Sequence, residues 1–321
     1  MKILAKTGKE EVAIVYIAGL SDGSRLSGEN LIEFVEAVQP PIPREEKWVL
    51  LVSTMFGCPV GCKMCDAGGY YHGKASKDDI FAQIDYLVRK RYPDGRVPSR
   101  QFKIQFARMG EPSFNPAVLE VIDELPSRYD APGFMPSIST VAPRGTDQFF
   151  ERLLEIKQDN YSGGRFQFQI SIHTTDEKLR DEIIPVKKWG FREMADYGER
   201  FFAPGDRKIT LNFALAKGMP VDSGILLEYF DPGKFLIKIT PLNPTYQARE
   251  SGFASYIDPH AVNREYEIVR ELTAAGYQTI VSIGEVEENY IGSNCGQYVR
   301  KHLDSAQPIE HGYTYPVEDY A

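Results

Sequence analysis

The segment WVLLVSTMFGCPVGCKMC, residues 48–65, joins an apolar run to three closely spaced cysteines. Its first part, residues 48–53, has the apolar and β-branched composition of a buried strand. The second part follows directly and reads CxxxCxxC, with Cys58, Cys62 and Cys65 as its cysteines. The segment therefore predicts a strand whose carboxyl end leads into a loop that carries three thiols.

Further apolar runs and helical patterns alternate along the chain after this segment. The runs lie at 102–107, 135–140, 166–171, 209–215, 234–240 and 278–283. The helical patterns lie at 77–91, 116–127, 146–157, 191–202 and 262–276, and Ser76 is a good N-cap for the first of them. Strand–helix alternation indicates a parallel sheet. Six or seven repeats favour an α/β fold that forms a partial parallel (β/α) barrel over an open dinucleotide-binding sheet.

The residues before the segment have a different pattern. Strand-like runs at 12–20 and 31–38 are separated by the turn residues SDGS at 21–24, and PPIP at 40–43 interrupts the chain. We therefore predict a small N-terminal β-rich extension at 1–48. The barrel would occupy 49–297, and a C-terminal tail at 298–321 would pack over one of its ends.

Composition is that of an ordinary globular protein, with 42% hydrophobic and 26% charged residues among 321. A net charge of −8 lacks the surplus of Lys and Arg that proteins use to hold a long nucleic acid, although a local basic patch is compatible with it. No apolar run approaches the roughly 18–20 residues of a membrane helix. The first residues, MKILAKTGKEE, contain no secretory signal. We expect a cytoplasmic protein with no membrane partner.

The four cysteines are unevenly placed, because three fall within 58–65 and Cys295 stands alone. This clustering favours metal binding over a disulfide framework. Thiolates are the usual ligands of iron–sulfur clusters. Three of them can hold a [4Fe–4S] cluster and leave one iron open to S-adenosylmethionine (SAM). The alternative is zinc, but structural zinc normally takes four protein ligands, and Cys295 is the one cysteine left to complete such a set.

Polar residues stand at or after the ends of successive predicted strands. They are Gly110 and Glu111 in RMGEPSFN, Ser139, the Ser171-Ile172-His173 triplet, Asn243 and Cys295. Each alone is compatible with a cap or a turn. Since sites in parallel barrels gather at the carboxyl ends of the strands, together they predict one cavity above the cysteine loop.

These blocks resemble the RlmN/Cfr family of radical SAM RNA methyltransferases over roughly residues 12–300. The resemblance depends on the cysteine segment, on RMGEPSFN, and on ISIHTTDEKLRDEIIP (170–185), PLNPT (241–245) and NCGQ (294–297). It implies that Cys58, Cys62 and Cys65 hold a [4Fe–4S] cluster and that Gly110 and Glu111 receive the amino group of SAM. The further SAM contacts that it implies are Ser139, Ser171, Ile172, His173 and Asn243.

The resemblance also implies a reaction. Cys295 is similar to the family's methyl-carrying cysteine, which one SAM methylates. A second SAM is cleaved to a radical that takes hydrogen from this S-methyl group, and the resulting carbon radical adds to an sp² ring carbon. Glu33, in LIEFV, is similar to the family's proposed proton acceptor; the alternative is a glutamate on a surface strand. A flavodoxin- or ferredoxin-type protein would donate the electron.

Three features depart from the family pattern. The second catalytic cysteine, seven residues before the first cluster cysteine, is replaced by Leu51. The basic stretch before the methyl-carrying cysteine is replaced by GEVEE at 284–288, whose carboxylates would repel phosphates, or which forms a solvated loop. Only about 48 residues precede the first barrel strand, so we expect the family's N-terminal helical RNA-binding module to be missing.

Three functions remain open for a radical SAM enzyme with these residues. The favoured one is C-methylation or methylene transfer through Cys295 to a small-molecule or peptide substrate. The second is methylation of an adenosine in rRNA or tRNA, for which the charge is less suitable. The third is a radical SAM reaction of another type. A non-enzymatic zinc or cluster protein is a fourth interpretation, which metal and sulfide analysis would distinguish.

Overall fold

The computed structural model describes residues 1–20, 30–261, 264–305 and 307–319. The predicted turn at 21–24 lies outside these ranges, as do two residues of the helix predicted at 262–276. The strands are β1 (Lys2–Lys9), β2 (Ala13–Gly19), β3 (Leu31–Ala37), β4 (Lys47–Val52), β5 (Met55–Gly57), β6 (Tyr71–Lys74), β7 (Gln101–Phe106), β8 (Phe134–Thr140), β9 (Gln167–Ser171), β10 (Ile209–Leu215), β11 (Phe235–Pro241), β12 (Gln278–Val281) and β13 (Glu318–Asp319).

The helices follow the alternation that the sequence predicts, with several short ones added. They are α1 (Lys77–Arg91), α2 (Ala117–Arg128), α3 (Asp147–Asn160), α4 (Glu177–Ile183), α5 (Phe191–Phe201), α6 (Ser223–Tyr229), α7 (Tyr246–Glu250), α8 (Glu267–Ala274), α9 (Val286–Ile291) and α10 (Val299–Leu303). Ser76 caps α1 as predicted, and Asp79 completes a capping box there. In the described part of the chain, no helix has both the length and the apolar character that a membrane crossing requires.

Among the described residues, 11 strands form one sheet in the order β12-β11-β10-β9-β8-β7-β4-β3-β2-β1-β13. Strands β4 and β7 to β12 run parallel to one another in chain order. Strands β3, β2, β1 and β13 continue the sheet beyond β4 with antiparallel pairing. The predicted α/β fold, with a partial parallel barrel and an N-terminal β extension, is confirmed.

The parallel strands have two different faces. Residues such as Trp48, Leu50 and Val52 of β4 are fully buried in the core that also contains Ile80 and Ile84 of α1. The alternate residues of β4 are partly exposed on the opposite face. The same period of two, with polar side chains on the inner face, recurs in β7 and β11. One face of the sheet is therefore covered by helices, and the other encloses a polar interior.

Electrostatic interactions across this interior agree with a curved sheet. Lys238 on β11 lowers the pKa of Lys103 on β7. Three strands separate β7 from β11, so a flat sheet would place them roughly 19 Å apart, well beyond the distance at which exposed charges interact strongly. The strands therefore bend around a common space, as a partial barrel requires.

Candidate functional site

The cysteine loop begins at the carboxyl end of β4 and is held by the short β5–β6 hairpin. The Cys58 amide donates to the carbonyl of Tyr70 (3.2 Å), and the Cys65 amide donates to the carbonyl of Cys62 (3.1 Å). All three thiols are partly exposed. The loop therefore folds back on itself and places three thiols at the mouth of the barrel, where the sequence predicted them.

The electrostatics of the three thiols fit a positively charged iron–sulfur group. Burial raises the pKa of Cys58 to about 11, and it also raises the pKa values of Cys62 and Cys65. Negative charge on neighbouring thiolates or on Glu111 raises the pKa values of these cysteines further. Three thiolates so placed would repel one another unless a cation neutralised them.

The spacing of the thiols also bears on which group fits. Within the described ranges, no three His, Cys, Asp or Glu side chains have an arrangement that holds a single metal ion. A [4Fe–4S] cubane binds each thiolate at a different iron. The donor set of soft thiols fits a cluster of this kind.

Gly110 and Glu111 lie against the start of the cysteine loop. Gly110 has φ +95°, and a Cβ there would lie 2.6 Å from the Met55 side chain, so no other residue fits without a shift. The Glu111 carboxylate accepts hydrogen bonds from the Thr140 hydroxyl (2.5 Å), the Val141 amide (2.9 Å) and the Ser113 hydroxyl (2.7 Å). Burial raises the pKa of Glu111, and these donors oppose that effect. Thr140, which the sequence did not single out, is therefore what orients Glu111.

The predicted SAM contacts on β8 and β9 lie on the inner face of the sheet. Ser139 accepts a hydrogen bond from the Gln169 side chain (3.1 Å). Ser171 is partly exposed at the end of β9, whereas Ile172 is fully buried. The Ile172 side chain thus belongs to the core, and its amide donates to the Asn212 carbonyl (2.9 Å). Their predicted roles in binding SAM remain predictions.

His173 adopts a left-handed conformation with φ +66° directly after β9. Its Nδ1 accepts a hydrogen bond from the Ala214 amide (3.1 Å), which leaves the proton on Nε2. Burial, aided by the nearby Arg180, lowers the pKa of His173 to about 4. The imidazole is therefore neutral at physiological pH and presents one N–H as a donor.

Cys295 is joined to the cysteine loop by several contacts. Asn243 donates from Nδ2 to the Cys295 carbonyl (2.9 Å). The backbone amide of Asp66, the residue after Cys65, donates to the carbonyl of Gly296 (2.8 Å). Gly296 has φ +83°, and a Cβ there would lie 2.9 Å from the Met64 carbonyl oxygen. The chain at Cys295 therefore lies directly against the loop of the three cysteines.

The Asp66 carboxylate, which sequence reasoning missed, fixes this arrangement. It accepts hydrogen bonds from the amides of Tyr246 (3.1 Å) and Gln247 (2.9 Å) at the start of α7, and from the Tyr313 hydroxyl (3.2 Å). One side chain thus ties the cysteine loop to α7 and to the C-terminal segment.

The Cys295 side chain is exposed, yet protein surrounds it closely enough to raise its pKa. Lys238 and Arg108 lower the pKa of Cys295 and thus oppose the effect of burial. Cys295 in turn raises the pKa values of Cys62 and Cys65, which places all four cysteines in one site.

Comparison with known proteins agrees with this geometry. No family model matches the sequence. The chain is 27% identical over 273 residues to a probable dual-specificity RNA methyltransferase RlmN of Desulfitobacterium hafniense, covering 82% of this chain and 70% of that protein. It is 26% identical over 283 residues to the protein of the same name in Salinispora tropica, covering 85% and 70%. These similarities support the predicted resemblance to the RlmN/Cfr family.

A solved structure shares the fold. A radical SAM methyltransferase from Sphaerobacter thermophilus superposes with a TM-score of 0.64 over 92% of this chain and 81% of that one, at 19% identity. At this identity the likeness shows the fold alone. The named relatives, together with the shared fold, support an enzyme of the radical SAM methyltransferase kind.

Glu33 lies in a buried ion pair. Its carboxylate contacts Arg108 Nη2 at 2.6 Å, and the two side chains are 0% and 2% exposed. It also accepts from the amides of Val299 (3.3 Å) and Arg300 (2.9 Å). The alternative of a surface glutamate is therefore wrong. These contacts describe a positioning residue, and the role of proton acceptor stays a prediction.

Arg108 connects Glu33 to the segment that carries Cys295. Its guanidinium donates to the carbonyls of Gly292 (2.9 Å) and Asn294 (3.3 Å), which closely precede Cys295. Arg108 directly precedes the Met109-Gly110-Glu111 turn. The pair therefore links the turn beside the cysteine loop to the Cys295 segment, a connection that no local sequence pattern reveals.

The two departures from the family that lie among the described residues differ in position. Leu51 is on the inner face of β4, partly exposed, between Val35 of β3 and Gln105 of β7. The acidic stretch forms the first turn of α9, in which Glu287 pairs with Lys9 (2.6 Å) and Glu285 and Glu288 form a capping box. The alternative of a solvated loop is therefore wrong for this stretch.

Lys103 should destabilise the fold in a pH-dependent way. Burial and the cations Lys238, Lys47 and Arg207 lower its pKa to about 7. A lysine with a lowered pKa opposes folding fully below the folded-state pKa, and the effect vanishes above the unfolded value of about 10.4. We expect Lys103→Met to raise the free energy of unfolding by about 1–3 kcal/mol at pH 6. The gain should disappear near pH 10.5. Urea denaturation at the two pH values tests this, and an equal gain at both would contradict it.

Proposed function

We propose that this enzyme holds a [4Fe–4S] cluster with Cys58, Cys62 and Cys65, cleaves SAM, and transfers a methyl-derived carbon through Cys295 to a small-molecule or peptide substrate. The observation that carries the proposal is the position of Cys295, an exposed residue whose segment lies against the cysteine loop and which acts electrostatically on two of the three loop thiols. When bound, the cluster supplies the electron that breaks a C–S bond of SAM. Glu111 and Asn243 would orient SAM beside it.

Cys295 would act first as a nucleophile. Its thiol loses a proton, and the sulfur takes the methyl group of one SAM, with S-adenosylhomocysteine as the leaving group. The thiolate is the reactive form; burial raises the pKa of Cys295 overall, and Lys238 and Arg108 oppose that effect.

Mass spectrometry of the purified enzyme tests this role. We expect a Cys295 peptide heavier by one methyl group when the enzyme is expressed with SAM available, and we expect the label when methyl-labelled methionine is fed. The Cys295→Ala variant provides the blank. An unmodified Cys295 together with full activity of Cys295→Ala would contradict the methyl-carrier proposal and favour a radical SAM reaction of another type.

An RNA substrate is the second candidate, because both curated relatives are named RNA methyltransferases. A net charge of −8 argues against tight binding, since RNA affinity depends largely on Lys and Arg contacts to phosphates. We expect weak binding to rRNA and tRNA fragments that falls steeply with salt and shows no sequence preference. Fluorescence anisotropy with labelled fragments measures this. Tight binding to one fragment at physiological salt would make RNA the substrate.

Release of the product should depend on an outside thiol or another route, because Leu51 replaces the family's second cysteine. We expect Leu51→Cys to supply that thiol and to form a disulfide with Cys295 on turnover. The smaller side chain should cost about 1–3 kcal/mol of stability. Val49→Cys is the matched control, two residues earlier on the same face of β4. Non-reducing peptide mapping after turnover distinguishes the two, and equal disulfide formation in both variants would contradict the prediction.

A further inference from the structure

The interior of the sheet carries positive charge without negative charge to match. The parallel strands β4 and β7 to β12 contain no Asp or Glu, but they contain three lysines. Lys47, Lys103 and Lys238 lie at partly exposed positions of the inner face. The other polar residues of that face are mainly amides and hydroxyls, including Gln105, Gln169, Ser171, Asn212 and Thr240.

Lys103 and Lys238 have no anionic partner on the protein. In the part of the chain that the structure describes, neither ammonium group forms an ion pair or donates a hydrogen bond. Both lysines lie at inner-face positions of the partial barrel, and burial, followed by the charges of Lys238, Lys47 and Arg207, lowers the pKa of Lys103 to about 7. Two unpaired cations held together in a partly enclosed space favour binding of an anion.

Among the carboxyl groups, Glu288 acts on Lys238 and opposes the lowering of its pKa by burial, but the two form no ion pair in the described part of the chain. Burial raises the pKa of Glu288 to about 7, and this carboxyl accepts the Glu285 amide (3.3 Å). The positive charge of the interior is thus left for a ligand.

The charge extends through the barrel from one end to the other. At the amino ends of the strands, a cavity of about 500 Å³ is lined by Lys47, Arg100, Arg165 and Arg207, with Glu46 as its acidic residue. At the other end, Lys238 is close enough to Cys295 to lower its pKa. Lys238 therefore lies between the basic cavity at the amino ends of the strands and the thiol of Cys295.

We propose that Lys103 and Lys238 form the binding site for an oxyanion of the substrate, a phosphate or a carboxylate, and that this anchor directs the acceptor carbon of the substrate towards Cys295. The proposal deepens the function proposed above and depends on it for the role of Cys295. The anion site itself depends on the two lysines alone. The substrate is accordingly a small anionic molecule that fits within the barrel.

Calorimetric titration of the anaerobic holoenzyme at pH 6.5 tests the site, with pyrophosphate as the phosphate probe and citrate as the carboxylate probe. We expect at least one probe to bind, and the tighter of the two identifies the type of anion. Lys103→Met and Lys238→Met should each weaken binding about tenfold or more. Lys178→Met, an exposed lysine on α4, is the matched control and should leave binding unchanged.

Arginine variants and a titration with SAM separate loss of the anion site from loss of the fold. Lys103→Arg and Lys238→Arg keep the charge and should retain binding even if a methionine variant folds poorly. Titration with SAM in the same samples should give equal affinities in wild type and in all variants. The proposal is overturned if neither probe binds wild type below roughly 10 mM at 0.15 M salt. Equal weakening by Lys178→Met, or loss of SAM binding in the lysine variants, would also overturn it. Iron content, measured in parallel, reports separately on the proposed cluster.

Discussion

Replacing Cys62 with alanine should abolish both the iron–sulfur absorption at roughly 400 nm and the formation of 5′-deoxyadenosine. Cys62 lies among the other thiols, and negative charge on Cys58, Glu111 and Cys295 raises its pKa. Loss of this thiolate would leave one iron without a ligand. We expect SAM cleavage to fall by about two orders of magnitude or more, and Cys58→Ala and Cys65→Ala should behave alike.

Cys295→Ala is the matched control, because it removes a thiol from the same site without removing a cluster ligand. This variant should keep the absorption and, with reductant, should still cleave SAM. Anaerobic reconstitution followed by spectroscopy and product analysis measures both quantities. Loss of the cluster in Cys295→Ala, with retention in Cys58→Ala, would show that the ligands are assigned wrongly.

Arg108→Met should have the largest effect on stability. The substitution leaves the Glu33 carboxylate buried without its cation, and removing one partner of a buried ion pair costs about 3–5 kcal/mol. It also removes the donors to the carbonyls of Gly292 and Asn294. We expect the free energy of unfolding to fall by that amount and hydrogen exchange to increase in residues 292–300. Denaturant unfolding and exchange mass spectrometry measure the two effects.

Two controls separate charge from packing. Arg96→Met breaks an exposed pair with Asp130, whose side chains are 75% and 61% exposed, and should cost less than about 1 kcal/mol. The double variant Glu33→Met, Arg108→Met removes both charges and should recover much of the loss. If the double variant were as unstable as the sum of the single variants, the pair would not be coupled as described.

The sequence predicted the parts of the fold that are local and periodic. The strand at 209–215 and the helix at 77–91 have the predicted bounds, because their apolar spacing and, for the helix, the Ser76 cap are local signals. The β5–β6 hairpin and short helices such as α7 were missed. A strand of three residues or a helix of five shows too little of its period to be detected.

The residues of the site divide in the same way. The cysteines, Glu111 and Asn243 stand in recognisable motifs at strand ends, so they could be predicted as site residues from the sequence. The hydrogen-bond partners of Asp66 lie between 180 and 247 residues away in the sequence. Those of Arg108 lie up to 186 residues away. No local pattern marks such contacts. Lys103 and Lys238 became meaningful only when the curvature of the sheet placed them across one interior.

The analysis of iron, sulfide and SAM products in one anaerobically reconstituted sample tests the central claim most directly. The claim is that the loop of three cysteines holds a [4Fe–4S] cluster that cleaves SAM. We predict about four iron and four sulfide per chain, and 5′-deoxyadenosine on addition of SAM and dithionite. Zinc without sulfide, together with intact SAM, would contradict the claim.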